Sequence, residues 1–382
     1  MPLPTSGTLS LNQIQTEFGG TNPIDLNEYY AGGEFVPSGT SGTNGVVPSS
    51  GTISAFNFYG TQKTPGQTWT YRAGLQATSW GTTNAQTRAV VWAGTRFAVF
   101  GNSGKAATSP DGITWTYQSN LASTGWGTNT GFFALWTGTQ IVLVGSGGSV
   151  ATSPDGITWT YQAGLSATAW GTGIPFGGVW TGTQILLVGI SGKAATSPDG
   201  ITWTYRAGIS ALPSWGTANV QTASWSGTRF FVAGNNGRVA TSPDGVTWTY
   251  QAGLQATSWG TGAPYASVWT GTQFAVFGTS AATSPDGVTW TIQSGMSTVL
   301  SGSAVHSAVW TGSNIVVGTL GGGVGGGAVA TSYDGVTWTY QSNLRNLPDW
   351  GGAPIFLNNL AWSGSKLLVG SMAGTGKIAT SP

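Results

Sequence analysis

Ser197-Pro198-Asp199-Gly200-Ile201-Thr202-Trp203 is one of five near-identical strings in this chain. The others run from Ser109 to Trp115, Ser153 to Trp159, Ser242 to Trp248 and Ser284 to Trp290, and a sixth copy, Ser332 to Trp338, has Tyr333 in place of Pro. A degenerate copy, Thr64-Pro-Gly-Gln-Thr-Trp69, precedes them. The Trp residues closing these strings, at 69, 115, 159, 203, 248, 290 and 338, lie 42 to 48 residues apart. Self-similarity at that period marks a four-stranded propeller blade.

Outward from each string the unit reads as four short strands divided by turn residues. Around Asp199 the predicted strands are Gly177–Trp180, Gln184–Gly189, Lys193–Ser197 and Ile201–Tyr205. Their turns are Thr181-Gly-Thr183, Ser191-Gly192 and Pro198-Asp-Gly200, and no helical apolar period is found in this region. The last residues, Ala379-Thr-Ser-Pro382, spell a third strand and the opening of the Asp turn, and Pro65 to Tyr71 spell the missing fourth strand. The expectation is an all-β, seven-bladed propeller over residues 64–382 with a split closing blade, because a closed ring leaves no long strand edge exposed. Residues 1–63 form a separate N-terminal module with short helices.

The repeated turn resembles the Asp-box of sialidases and related propellers, although here Asp and Gly are adjacent and the box is one residue shorter. The resemblance implies a structural cap on the hairpin between the third and fourth strands. The chemistry agrees: Pro presets φ, the carboxylate accepts backbone N–H bonds, Gly takes φ > 0 and Trp packs beneath. Asp111, Asp155, Asp199, Asp244, Asp286 and Asp334 are therefore expected to be structural. One carboxylate per turn is too few for a calcium cage. Glycoside hydrolysis needs two convergent carboxylates, or a Tyr nucleophile with an acidic partner. All three Glu, at 17, 28 and 34, precede the blades, and the only other acid of the repeat region is Asp349. No catalytic, cofactor or metal residue is expected, and the chain is read as non-enzymatic.

Composition narrows the rest. The 382 residues include 63 Gly and 20 Trp, no Cys and only 6% charged residues. No disulfide or thiolate metal site is possible. The formal net charge of +1 provides no basic field for nucleic acid or an anionic membrane. Apolar runs such as Gln184–Gly189 are strand-sized, so no membrane insertion is expected, and the start of the chain shows no secretory signal.

Three Trp sets exhaust the twenty. Besides the strand set, seven precede the Gly turn of each unit, at 92, 136, 180, 225, 269, 310 and 362. Six more lie in the long loops: Trp80, Trp126, Trp170, Trp215, Trp259 and Trp350. The sixth unit has Leu300-Ser301 instead. If exposed, the loop rings suit sugar stacking; if buried, they pack blades together. The Gly that follows each one favours packing. Together with His306, the only His, they form the candidate ligand or partner face. Variation between units concentrates at Ile174–Phe176, Leu212-Pro213, Tyr265, Ser294–His306, Gly321–Gly327 and Arg345–Trp350.

In the N-terminal module Ser10-Leu-Asn-Gln13 is a capping box, with Ile14 and Phe18 on one face and Gly19 as the stop. Asp25 starts a second helical turn running to Tyr30. Pro4–Ser10 is echoed by Pro48–Ser54, and Phe18-Gly19 by Tyr59-Gly60, around a Gly/Ser-rich loop, Gly39–Gly45. The run Ser6–Gly20, then Asn22–Tyr30 and Val47–Ser54, resembles a module of virion structural proteins in cyanophages and other marine tailed phages. That resemblance implies a tail- or fibre-type virion protein, attached through this module to other virion proteins. On that reading the propeller is expected to meet a host-surface glycan or a neighbouring virion protein, in a particle assembled in the host cytoplasm. The alternatives are a purely architectural component and, more remotely, a polysaccharide-degrading enzyme.

Overall fold

A computed structural model describes residues 3–20, 22–31, 35–36, 40–61, 65–83, 85–320, 327–342, 344, 347, 357–372 and 376–382. The chain divides into two compact units, Met1–Thr68 and Trp69–Ser381. The division falls five residues beyond the expected boundary, within the degenerate Asp turn.

The first unit is built on two capped turns. Helix Leu11–Phe18 starts at a reciprocal Ser10/Gln13 capping box, and Ser54/Asn57 makes the same box before the 3₁₀ turn Ala55–Phe58. A further 3₁₀ turn, Leu26–Tyr29, is capped by Asp25. The repeated sequence therefore encodes repeated capping, and its apolar partners meet edge to face, Phe18 against Phe58 at 5.9 Å. Phe58, rather than Tyr59, is the buried counterpart of Phe18. The Gly/Ser-rich loop contains a short hairpin, Ser41–Gly42 with Gly45–Val46.

The second unit is a seven-bladed β-propeller: seven four-stranded antiparallel sheets. The third blade comprises Pro175–Trp180, Ile185–Gly189, Ala194–Ser197 and Thr204–Arg206. The seventh joins Leu357–Trp362, Leu367–Ser371 and Ile378–Ser381 to Thr70–Arg72, with Tyr71 opposite Ala379. Innermost strands pack each on the next, and Leu357–Trp362 packs on Thr87–Trp92, closing the ring. Second strands such as Ile185–Gly189 are buried throughout, as strands covered on both faces must be.

Two readings of the blades are corrected. The fourth strand starts at Thr204, not Ile201, because the Asp turn is longer than expected: Asp199 Oδ1 accepts from the N–H groups of Ile201 (2.8 Å) and Thr202 (2.7 Å). That carboxylate holds both amides away from a ladder. The loop before the sixth blade contains a helix, Ser294–Val299. It buries Met296 and Leu300 in the unit that lacks a loop Trp, so a helical turn fills the volume an indole fills elsewhere.

Candidate functional site

The two ends of the propeller channel are built differently. At the Asp-turn end the chemistry repeats from blade to blade. Ser197 Oγ accepts from Gly200 N–H (2.7 Å) and donates to Asp199 Oδ1 (3.1 Å), and the Trp203 indole donates to Gly200 O (3.0 Å). The other five copies make the same bonds. Burial works against ionisation of Asp199, but the amides of Thr202 and Ile201 and the Ser197 hydroxyl outweigh it and hold the carboxyl below its ordinary range. Gly200 has φ +73°, and a Cβ there would lie 2.5 Å from Val142 Cγ2 of the preceding blade. Four of the turns are also latched to a neighbouring blade: Gln140 donates to Asp199 O (2.6 Å), Arg229 to Asp286 O (3.1 Å), Gln273 to Asp334 O (2.9 Å) and Lys366 to Asp111 O (2.8 Å). The six carboxylates stay on six separate blades and do not converge.

The opposite end carries a difference in every blade. The first strand of six blades has a register shift, leaving one residue opposite no partner: Arg88, Phe132, Phe176, Gln221, His306 and Asn358. In the fifth blade Tyr265 takes the same place, just before strand Ala266–Trp269. Each lies four residues before the Trp that precedes the Gly turn of its unit. A bulge re-aims one side chain, and the sequence at these seven positions reads Arg, Phe, Phe, Gln, Tyr, His and Asn. Phe132, Phe176, Gln221, Tyr265 and His306 line a cavity of about 470 Å³ in the channel, a volume within the ~300–1,000 Å³ range of small-ligand sites.

Neighbouring bulge residues touch in two places. The Arg88 guanidinium lies over the Phe132 ring, 5.8 Å from its centroid. Tyr265 and His306 stack at 4.0 Å, 15° from parallel. Burial lowers the His306 pKa from 6.5 to about 4, so this imidazole is neutral at neutral pH. Burial also lowers that of Arg88, with no carboxylate contributing. Phe176 is 37% exposed.

The loop Trp are not part of this surface. Trp80, Trp126, Trp170 and Trp215 are fully buried, and Trp259 is 7% exposed. Each belongs to a separate inter-blade cluster. Each indole N–H is satisfied by a loop carbonyl, such as Ala85 O for Trp80 (3.0 Å) and Gly173 O for Trp170 (2.9 Å). The second strand ends on a Gly against the ring; a Cβ on Gly145 would meet Trp126 at 2.6 Å. The favoured packing reading describes these five, and the sugar-stacking alternative is closed to them because their ring faces are spent on blade packing. Trp350, most of the run Gly321–Gly327 and most of Arg345–Trp350 lie outside the described residues. Of the expected ligand-face residues that are described, only His306 lies at the mouth. Among the described residues no group of three or more His, Cys, Asp or Glu comes together to hold a metal.

No family model matches the chain, and no curated protein matches it. Solved structures do. One titled "YCF48 bound to D1 peptide" aligns with TM-score 0.58 at 14% identity, over 82% of this chain and 96% of that one. YCF48 from Cyanidioschyzon merolae aligns with the same score and identity, over 82% and 98%. The WD40 β-propeller domain of Doa1 aligns with TM-score 0.54 at 11% identity, over 79% and 96%. At such identities the likeness shows the fold and nothing more.

Proposed function

We propose that this chain is a non-enzymatic binding protein of a tailed-phage particle. Residues 1–63 attach it to other virion proteins, and the bulge-side end of the propeller meets a host-surface glycan or a neighbouring virion protein. The observation that carries the binding half is the contrast between the two ends of the channel. Six Asp turns repeat one self-satisfied hydrogen-bond pattern, whereas the seven equivalent positions at the other end read Arg, Phe, Phe, Gln, Tyr, His and Asn. Specific recognition draws on what varies over a rigid scaffold. The attachment half rests on the resemblance of the first sixty residues to virion modules. The absence of catalysis is supported by the turn carboxylates, which are engaged by backbone amides and separated by whole blades.

The test uses particles reconstituted with variants. Full-length protein is expected to incorporate and residues 64–382 to be left out, while residues 1–62 fused to a foreign domain are recruited. Normal incorporation of the truncated propeller would move the anchor onto the blades.

A peptide-bound propeller of the same fold favours a second reading, in which the mouth holds a segment of a protein partner. Binding of a virion protein, and not of host glycan, to the isolated chain would establish that version.

A further inference from the structure

Two pairs of aromatic rings line the cavity from different sides of the channel. Phe132 and Phe176 stand on the second and third blades, and the Tyr265–His306 stack spans the fifth and sixth. Between the pairs, the fourth blade contributes the Gln221 amide and the seventh that of Asn359. No Lys, Arg, Asp or Glu is among the described residues that line the cavity, and the imidazole is neutral at neutral pH. A charged guest would leave water there with no counter-ion to receive it, which is strongly unfavourable.

The polar groups of the wall are spent largely on the propeller itself. Ser267 is bonded to Thr222 at 2.8 Å and to Ser224 at 2.6 Å, and Ser307 Oγ donates to Leu357 O (3.2 Å). The Asn359 amide donates to Thr87 O (3.1 Å), and Gln221 Nε2 donates to Asn235 Oδ1 (2.8 Å). A saccharide brings several hydroxyl groups, each a donor and an acceptor, and burying them unmet is costly. The aromatic faces remain open. So does the Gln221 carbonyl oxygen, which accepts no hydrogen bond from a described residue.

An aromatic ring carrying a single N–H or O–H matches that inventory: its faces meet the rings of the wall, and its one donor meets one acceptor. Beside Phe176 the rim continues as the aliphatic Ile174, and each of the two is 37% exposed. An aliphatic shoulder offers nothing to the hydroxyl groups of a sugar, but it is covered when a polypeptide that bears the ring lies across the rim. Trp and Tyr anchors seated in a pocket and surrounded by apolar contacts carry much of the binding energy of protein interfaces.

We propose that the channel mouth receives the side chain of a Trp or Tyr from a protein partner, its ring between the two aromatic pairs and its indole N–H or phenol O–H on Gln221. The inference rests on the reading of this end as the binding end; within that reading it selects a protein partner and names the anchoring side chain.

Full-length protein would be titrated calorimetrically with short capped peptides that differ only at the central residue, Trp, Tyr, Phe or Glu between glycines, and with maltotriose. The Tyr peptide should bind about tenfold tighter than the Phe peptide, from which it differs by the one hydrogen-bonding hydroxyl. The Trp peptide should bind at least as tightly as the Tyr peptide, and the Glu peptide and maltotriose should give no measurable heat. Gln221→Met should bring the Tyr peptide down to the level of the Phe peptide and leave the latter unchanged. Phe132→Ala with Phe176→Ala should weaken all three aromatic peptides about tenfold or more, with melting temperature used to verify folding. No binding of the Trp and Tyr peptides, equal binding of Tyr and Phe, a preference unchanged in Gln221→Met, full binding in the double Phe variant, or tighter binding of maltotriose would overturn the proposal. If it is overturned while the double Phe variant still loses particle adsorption, the guest assignment fails and the binding end stands. If adsorption is also unchanged, both fail.

Discussion

The turn end and the bulge end of this propeller are made from the same seven blades, yet they spend their side chains in opposite ways. At the turn end almost every polar atom has a partner within its own repeat: Ser, Asp, Gly and Trp close one pattern six times. At the bulge end the backbone itself breaks register in six blades, so one residue of each is released from the ladder. A released residue contributes little to the ring's stability and is free to differ. On the proposed function, stability and recognition are divided between the ends: substitutions at the first should cost stability, and at the second binding.

The largest expected effect is at the turn end. Gly200→Ala places a Cβ at positive φ and against Val142, so strain and overpacking together should cost about 2–4 kcal/mol in denaturant unfolding. A cost under about 0.5 kcal/mol would show that the blades are less tightly keyed than the geometry requires.

Acid titration separates the ends by pH. The His306 imidazole takes a proton near pH 6.5 when unfolded but only near 4 when folded. Its contribution is therefore complete above 6.5 and is lost as pH falls through 6.5 toward 4, on the order of 2–3 kcal/mol. The turn carboxylates have lowered folded pKa values, so their contribution is held above the ordinary value of 3.8 and lost below it. His306→Gln should remove the loss between pH 6.5 and 4 and leave the loss below 4. An unchanged profile in that variant would mean the imidazole is not desolvated as the structure places it.

A smaller effect is expected for Asp199→Ala. It removes the acceptor of two backbone N–H bonds, for about 1–2 kcal/mol by thermal or chemical unfolding, with binding unchanged. Loss of binding in a folded Asp199→Ala protein would blur the division between the ends.

The fold was legible because the turn end is where the sequence repeats. Five intact Ser-Pro-Asp-Gly strings set the period, and the split repeat at 64–71 and 379–382 set the closure and the blade number. The fourth-strand boundary was missed because Thr-Trp-Thr-Tyr alternates like a strand from its start, while the Asp199 carboxylate claims its first amides. The helix at Ser294–Val299 was missed because Ser294-Gly-Met-Ser-Thr-Val299 has no helical period; it forms where Met296 and Leu300 fill a Trp-sized space.

The candidate site was read less well. Loop Trp drew attention as large, repeated aromatics, but repetition is the signature of packing, and the Gly after each one already favoured burial. The informative column is the one four residues before the Trp that precedes each Gly turn, reading Arg, Phe, Phe, Gln, Tyr, His and Asn. Its signal is the lack of repetition inside a repeat. Phe176, Tyr265 and His306 were seen as variable, but the bulge that lines them up is a backbone register shift with no composition of its own.

The division between the ends is tested most directly by comparing two multiple variants side by side. One carries Phe132→Ala, Phe176→Ala and His306→Ala, and the other carries Asp155→Ala, Asp199→Ala and Asp244→Ala. Unfolding free energy and particle adsorption are measured for both. The mouth variant should lose adsorption and stay within about 1 kcal/mol of the parent at pH 7, since the changed rings are partly solvent-facing. The turn variant should lose about 3–6 kcal/mol and still adsorb wherever it remains folded. Adsorption lost by a folded turn variant and kept by the mouth variant would contradict it.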